Sequence, residues 1–165
     1  MTRLLAIAAA LLLAMPALAH DVTQGDMQII HPNIPQPAAS AKAAGGFMVI
    51  VNNGAGADRL LAIESDIAAR PEIHESKVNA DGVATMGKAE AVEIPAGATV
   101  ALEHGGYHVM FMGLKARLTE GETHKAVLVF EKAGRIEIEF MIDPPMGQGD
   151  GEVDHSKMEH GGMGG

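Results

Sequence analysis

Soft-metal chemistry without thiols is the first thing these side chains permit, because the sequence holds 11 Met and 8 His but no Cys. The densest grouping is Gly105-Gly106-Tyr107-His108-Val109-Met110-Phe111-Met112-Gly113, in which a glycine pair marks a turn and an alternating strand follows. Side chains i and i+2 of a strand share a face roughly 6.5–7 Å apart, so His108, Met110 and Met112 stand together while Val109 and Phe111 turn to the core. An imidazole nitrogen and a thioether sulfur at that distance can converge on one ion. Two more positions carry the same donor types. His74 falls on a strand segment beside Glu75 and Ser76, and Met86 sits near a turn where no periodicity demands an apolar side chain. Taken singly, each Met reads first as packing material and each His as a polar surface residue. Taken together, they suit Cu(I): sulfur selects the soft ion, and neither a thioether nor a neutral imidazole has to lose a proton to bind it. Zinc, which prefers thiolate, imidazole and carboxylate, would leave the methionines without a role.

Composition narrows the alternatives. At 165 residues with 47% apolar side chains, the chain has the size of one globular domain. A formal charge of -9 opposes binding to phosphate backbones, so nucleic acid is excluded as a partner. The absence of Cys removes disulfides, iron–sulfur clusters, thiol catalysis and blue-copper centres. Glu103-His104, His124, Ser40 and Ser76 form no nucleophile–base pattern, and the glycine pairs lack the lysine of a phosphate cradle, so no enzyme is expected.

The elements that must position these donors are strands. Arg3, the apolar run Leu4–Met15 and Ala17-Leu18-Ala19 have the form of a cleavable signal peptide over residues 1–19, which predicts export to the periplasm. That apolar run is too short for a membrane anchor, and no Cys is available for a lipid. Strands are expected at Met27–Ile30, Gly46–Asn52, Arg59–Glu64, Glu72–Val78, Ala91–Ile94, Thr99–Glu103, His108–Gly113, Lys125–Glu131 and Arg135–Ile142, separated by Gly, Pro, Asn and Asp clusters. Arg135–Phe140 alternates most clearly, and Ala126–Phe130, apolar on both faces, predicts a central strand. The proline-bearing stretch His31–Ala44 reads as an extended connector. Short strands at this spacing predict an all-β sandwich or barrel over residues 20–146. From Gly147 to Gly165 the composition turns rich in Gly, His and Met, which predicts a flexible tail.

The spacing of the four donors resembles a known family. His74, Met86 twelve residues on, His108 twenty-two further and Met110 two beyond it match the His/Met copper motif of the PCu(A)C periplasmic copper chaperones. Gly25-Asp26, Ile30-His31-Pro32, Asp58-Arg59-Leu60, Ile94-Pro95-Ala96-Gly97, the Gly105–Leu114 stretch and Phe130-Glu131-Lys132-Ala133-Gly134 look like landmarks of the same family, so the likeness spans His20 to Ile142. Two positions depart from it: Glu75 replaces a frequent Met after the first histidine, and Asn33 replaces a frequent Trp after the His-Pro pair.

The resemblance implies a cupredoxin-like or immunoglobulin-like β-sandwich with one Cu(I) site made by His74, Met86, His108 and Met110. It also implies a non-enzymatic chaperone, expected as a monomer, that delivers copper towards the CuA centre on subunit II of cytochrome c oxidase, with a Sco-type thiol protein as acceptor or partner. Two neutral thioethers and two imidazoles would hold the ion without a strong anionic ligand, and a thiolate-rich acceptor could then take it by stepwise exchange. Free imidazole titrates near about 6.5, so histidine ligation should weaken below about pH 6. Accessory donors are expected at His155, Met158, His160 and Met163 of the tail, for Cu(I) or Cu(II), and at His20, which as a new N-terminus could chelate Cu(II) through its amine and ring. Two other functions compete: a periplasmic copper buffer or resistance protein, and a secreted copper monooxygenase built on an N-terminal histidine brace. One Tyr and four Phe are too few to build the flat aromatic surface the latter needs.

Overall fold

Ile136, Ile138, Phe140 and Ile142 are buried while Arg135, Glu137 and Glu139 face solvent, the period of two expected for a half-buried strand. The same rule organises the whole computed structural model, which describes residues 21–80 and 82–147. Among the described residues there are eleven strands and no helix: β1 (Val22–Gln24), β2 (Met27–Pro35), β3 (Ala43–Asn52), β4 (Asp58–Ser65), β5 (Ala68–Val78), β6 (Ala84–Lys88), β7 (Val92–Ile94), β8 (Thr99–Leu102), β9 (Tyr107–Leu114), β10 (Thr123–Phe130) and β11 (Arg135–Asp143).

Hydrogen bonding runs in the order β6-β5-β9-β3-β2-β11-β10-β4-β7, with β1 on β2 and β8 on β3. β10 is interior to this order, as its two-sided apolar sequence predicts. The pivot is β3. Its first residues, Ala43–Gly46, pair with β9, whereas Met48–Val51 pair with β8, and the other edge of the strand pairs with β2. One strand therefore serves two layers. The layers close on each other where Phe111 of β9 meets Phe140 of β11 edge to face, ring centroids 5.3 Å apart. Gly46 makes that approach possible: a Cβ there would lie 2.8 Å from Phe111 and 3.0 Å from Phe140. The cupredoxin-like, immunoglobulin-like all-β class is the one expected.

Polar anchors hold the loops at the end of the sandwich. Asp58 is buried and accepts N–H bonds from Arg59 at 2.7 Å, Lys132 at 2.9 Å and Ala133 at 2.8 Å, tying the start of β4 to the β10–β11 turn. Burial alone would raise its pKa, but the three backbone donors outweigh burial and hold the carboxyl below its ordinary value. Two of the landmark segments, Asp58-Arg59-Leu60 and Phe130–Gly134, are thus the two halves of one hydrogen-bonded clasp.

The structure differs from expectation in several places, among them the added strand β1 and the earlier start of β5 at Ala68. His31–Pro35 is strand rather than connector: Asn33 and Ile34 pair in parallel with Met141 and Ile142, and Pro32 falls in the irregularity between Ile30 and Asn33, where a missing N–H costs no ladder bond. His31, at φ 47°, makes the bend there. Ala43–Gly46 belongs to β3, and Met86 lies within a strand, β6, rather than beside a turn.

Candidate metal centre

Three strands bring the four predicted donors to one face. His74 of β5 stands directly opposite His108 of β9, and their ring centroids are 6.1 Å apart. Met110, two residues beyond His108, pairs with Glu72 on one side and Gly45 on the other. Met86 of β6 pairs with Ser76, two residues beyond His74, so the alternation of each strand turns all four side chains the same way. Ile73, Val109 and Phe111 are buried on the opposite face. Met86, His108 and Met110 line a surface hollow of about 230 Å³, with Gly45, Phe47 and Ser76 as its walls and His104 at its rim. His74 does not line the hollow and borders it through His108. Met112 shares the face of Met110, but pairs with Ala43 and Arg70 farther along and contributes nothing to the hollow.

Each histidine spends one ring nitrogen on the protein and keeps the other. Nε2 of His74 lies 3.1 Å from Oε2 of Glu72, an ionised carboxylate that can only accept, so Nε2 carries the hydrogen and Nδ1 keeps its lone pair. That Nδ1 is buried and has no hydrogen-bond partner. A buried, unpaired imidazole nitrogen is costly unless something else binds it. Glu72 is held below the usual carboxylate range by the His74 hydrogen bond, against the opposing effect of burial, and the Lys88 and Arg70 charges reinforce it. His108 is buried, against the sequence reading of a surface histidine, because β9 is flanked by β5 and β3. Its Nδ1 is 3.1 Å from the Gly106 carbonyl, which only accepts, so Nδ1 donates and Nε2 keeps the lone pair. A hydrogen-bond partner that fixes the tautomer and the ring is the usual companion of a metal-binding histidine.

The donor set is soft. Among the described residues no three His, Asp or Glu side chains converge as a zinc or calcium site requires, and the donors that complete the imidazole pair are thioethers. Met86 is 60% exposed, an open position for a thioether. A larger hollow of about 470 Å³ between β1 and the outer face of β10 and β11 is lined by Lys125, Glu137 and Glu139, with neither His nor Met. Sequence reasoning missed Glu72, the Gly106 carbonyl, Phe47 and His104. Glu72 was open to detection, since it sits two residues from His74 and so on its face. His20, His155, Met158, His160 and Met163, the accessory donors expected from the sequence, lie outside the described residues, as do residues 1–19, expected as a signal peptide, and residues 148–165 of the expected tail.

Comparisons with known proteins agree with this architecture. The sequence profile described as "Putative lipoprotein LpqE-like" matches residues 20–142. A curated protein of Leifsonia xyli subsp. xyli, "Putative lipoprotein Lxx21020", is 38% identical over 98 residues, which cover 56% of this chain and 58% of that protein. The chain thus spans under two thirds of the length of that relative. Among solved structures, the apo PCuAC domain from PmoF1 superposes with a TM-score of 0.68 at 31% identity, covering 76% of this chain and all (100%) of that one. The copper-bound PCuAC domain from PmoF2 gives 0.65 at 25% identity over 76% of this chain and 99% of that one. The solution structure of the Cu(I) form of DR1885 from Deinococcus radiodurans, at 22% identity, a TM-score of 0.59, and 79% and 85% coverage, shares the fold. The match over residues 20–142 and the full coverage of a solved domain at 31% identity make this chain a member of the LpqE-like family, the family of PCu(A)C domains.

Proposed function

We propose that the protein is an extracytoplasmic copper carrier, not an enzyme, that binds one Cu(I) between His74, Met86, His108 and Met110 and hands it on. The observation that carries this reading is the buried, unpartnered Nδ1 of His74 on the face that also presents Nε2 of His108 and two thioethers. The PCuAC domain from PmoF2, solved in a copper-bound form, supports the choice of copper. The donors are all neutral, so a bound Cu(I) keeps its single charge and leaves by exchange of one ligand at a time, without a proton lost from sulfur. The exposed hollow lets a second protein approach the ion while the site still holds it. The acceptor proposed is the CuA centre of cytochrome c oxidase, reached directly or through a Sco-type thiol protein, in the periplasm. The extracytoplasmic location is supported by the family description and by the Leifsonia relative, both of which carry the word lipoprotein.

Anaerobic competition titration of the chain against a chromophoric Cu(I) chelator tests the site. One tight equivalent, lost in Met86→Ala/Met110→Ala, supports it; a tight equivalent that survives the double variant overturns it. Deleting the gene tests the acceptor: oxidase assembly that fails only when copper is scarce supports delivery, whereas normal assembly with sensitivity to excess copper overturns it in favour of a buffer.

A further inference from the structure

Beyond the core hollow lies a second one of about 220 Å³, lined by His104 and Met146 and sharing Gly45, Phe47 and His104 with the first. The parallel pairing of β2 with β11 explains why Met146 is there. Asp143 pairs with Pro35 at the end of β11, and its carbonyl accepts from the Gln36 N–H at 2.9 Å, so the chain leaves the sheet beside Pro35 and Pro37, which line the same hollow. Pro144 and Pro145, each with φ locked, then direct Met146 along this wall rather than leaving it on a free loop. Met146 is 63% exposed, so packing does not account for its place. His104 is held from the other side. Its ring lies against Phe47 with centroids 4.0 Å apart, and neither ring nitrogen has a hydrogen-bond partner among the described residues.

We propose that His104 and Met146 form a second Cu(I) site, an open station of one imidazole and one thioether on the rim of the core hollow. This rests on the reading of His74, Met86, His108 and Met110 as the principal site. Both donors are neutral and one is soft, the chemistry that selects Cu(I) over harder ions. With two donors in place of four, the station binds more weakly than the core and fills after it. Because the two hollows share the His104 and Phe47 wall, the ion moves between them by exchanging ligands, copper remaining Cu(I) throughout and no electron being transferred.

The test is an anaerobic Cu(I) titration of the full chain carrying 13C-labelled methionine methyl groups, followed by NMR, with Met146 assigned through Met146→Leu. The expected result is that the Met86 and Met110 methyls shift with the first equivalent and the Met146 methyl with the second, and that the Met146 shift alone is lost in His104→Ala. A Met146 methyl that stays in place through the second equivalent overturns the station, as does one that shifts equally in His104→Ala. Failure of the principal site is separately visible as unmoved Met86 and Met110 methyls.

Discussion

His74 and His108 occupy opposed positions on β5 and β9 and use unlike partners, a carboxylate and a backbone carbonyl, to free one nitrogen each. A backbone carbonyl cannot be removed by substitution. The carboxylate can, which makes Glu72 the handle on this pair.

Glu72→Gln keeps the shape of the side chain, but removes the charge that orients His74 and makes its free nitrogen more basic. Cu(I) affinity is expected to fall about 10–100-fold. A competition titration that returns the parent value would show that the 3.1 Å contact does not act on the metal-binding nitrogen.

Met86 and Met110 should separate binding from stability. Met86 is exposed on an edge strand, so Met86→Ala is expected to change the unfolding free energy by no more than about 0.5 kcal/mol. Its Cu(I) affinity should drop by more than the Glu72→Gln variant loses. Denaturant melts beside titrations check both halves.

Acid should weaken copper binding before it unfolds the protein. Protons compete with the metal for the free nitrogens of His74 and His108, so affinity falls as the pH is lowered from neutral, with the methionines unaffected. Affinity that stays level on mild acidification would remove the histidines from the site.

Asp58 sets a separate, lower window. Its carboxyl is held below the ordinary 3.8, so between the folded and ordinary values the unfolded chain binds the extra proton, and stability rises with pH there. The contribution is present in full above the ordinary value and is lost as pH falls through the folded one. Asp58→Ala leaves the Arg59, Lys132 and Ala133 N–H groups without their acceptor and is expected to cost about 1–3 kcal/mol at neutral pH, with a shallower acid limb. Urea unfolding across pH measures both.

Gly46→Ala probes the closure of the layers. The added methyl meets Phe111 and Phe140 at 3.0 Å or less, and neither ring has room to retreat from the core. A loss of about 1–3 kcal/mol is expected in thermal unfolding.

Much of this was legible before any coordinates, for a physical reason. Where one face of a strand is buried and the other wet, the period of two is written into the residues, so β11 and the orientation of His108, Met110, Val109 and Phe111 could be read directly. β6 could not be read that way. Ala84–Lys88 is exposed along its whole length, and a strand without a buried face leaves no alternation. His31–Pro35 misled because prolines argue against strand, and only the irregularity at Ile30–Asn33 reconciles them. The likeness of spacing pointed to His74, Met86, His108 and Met110, which strand register turns to one face, whereas the partners Glu72 and Gly106 follow from register and turn geometry, which appear only when β5 and β9 are paired.

Of the four proposed donors, Met86 alone rides on a strand with a neighbour on one side only. Five residues at a sheet margin fray far more readily than the whole sandwich unfolds. Under the four-ligand reading, the residence time of the ion is then governed by the opening of this margin, and the thioether of Met86 is the first bond to let go. Amide exchange along β6 that slows when Cu(I) is added would record the same event from the side of the protein.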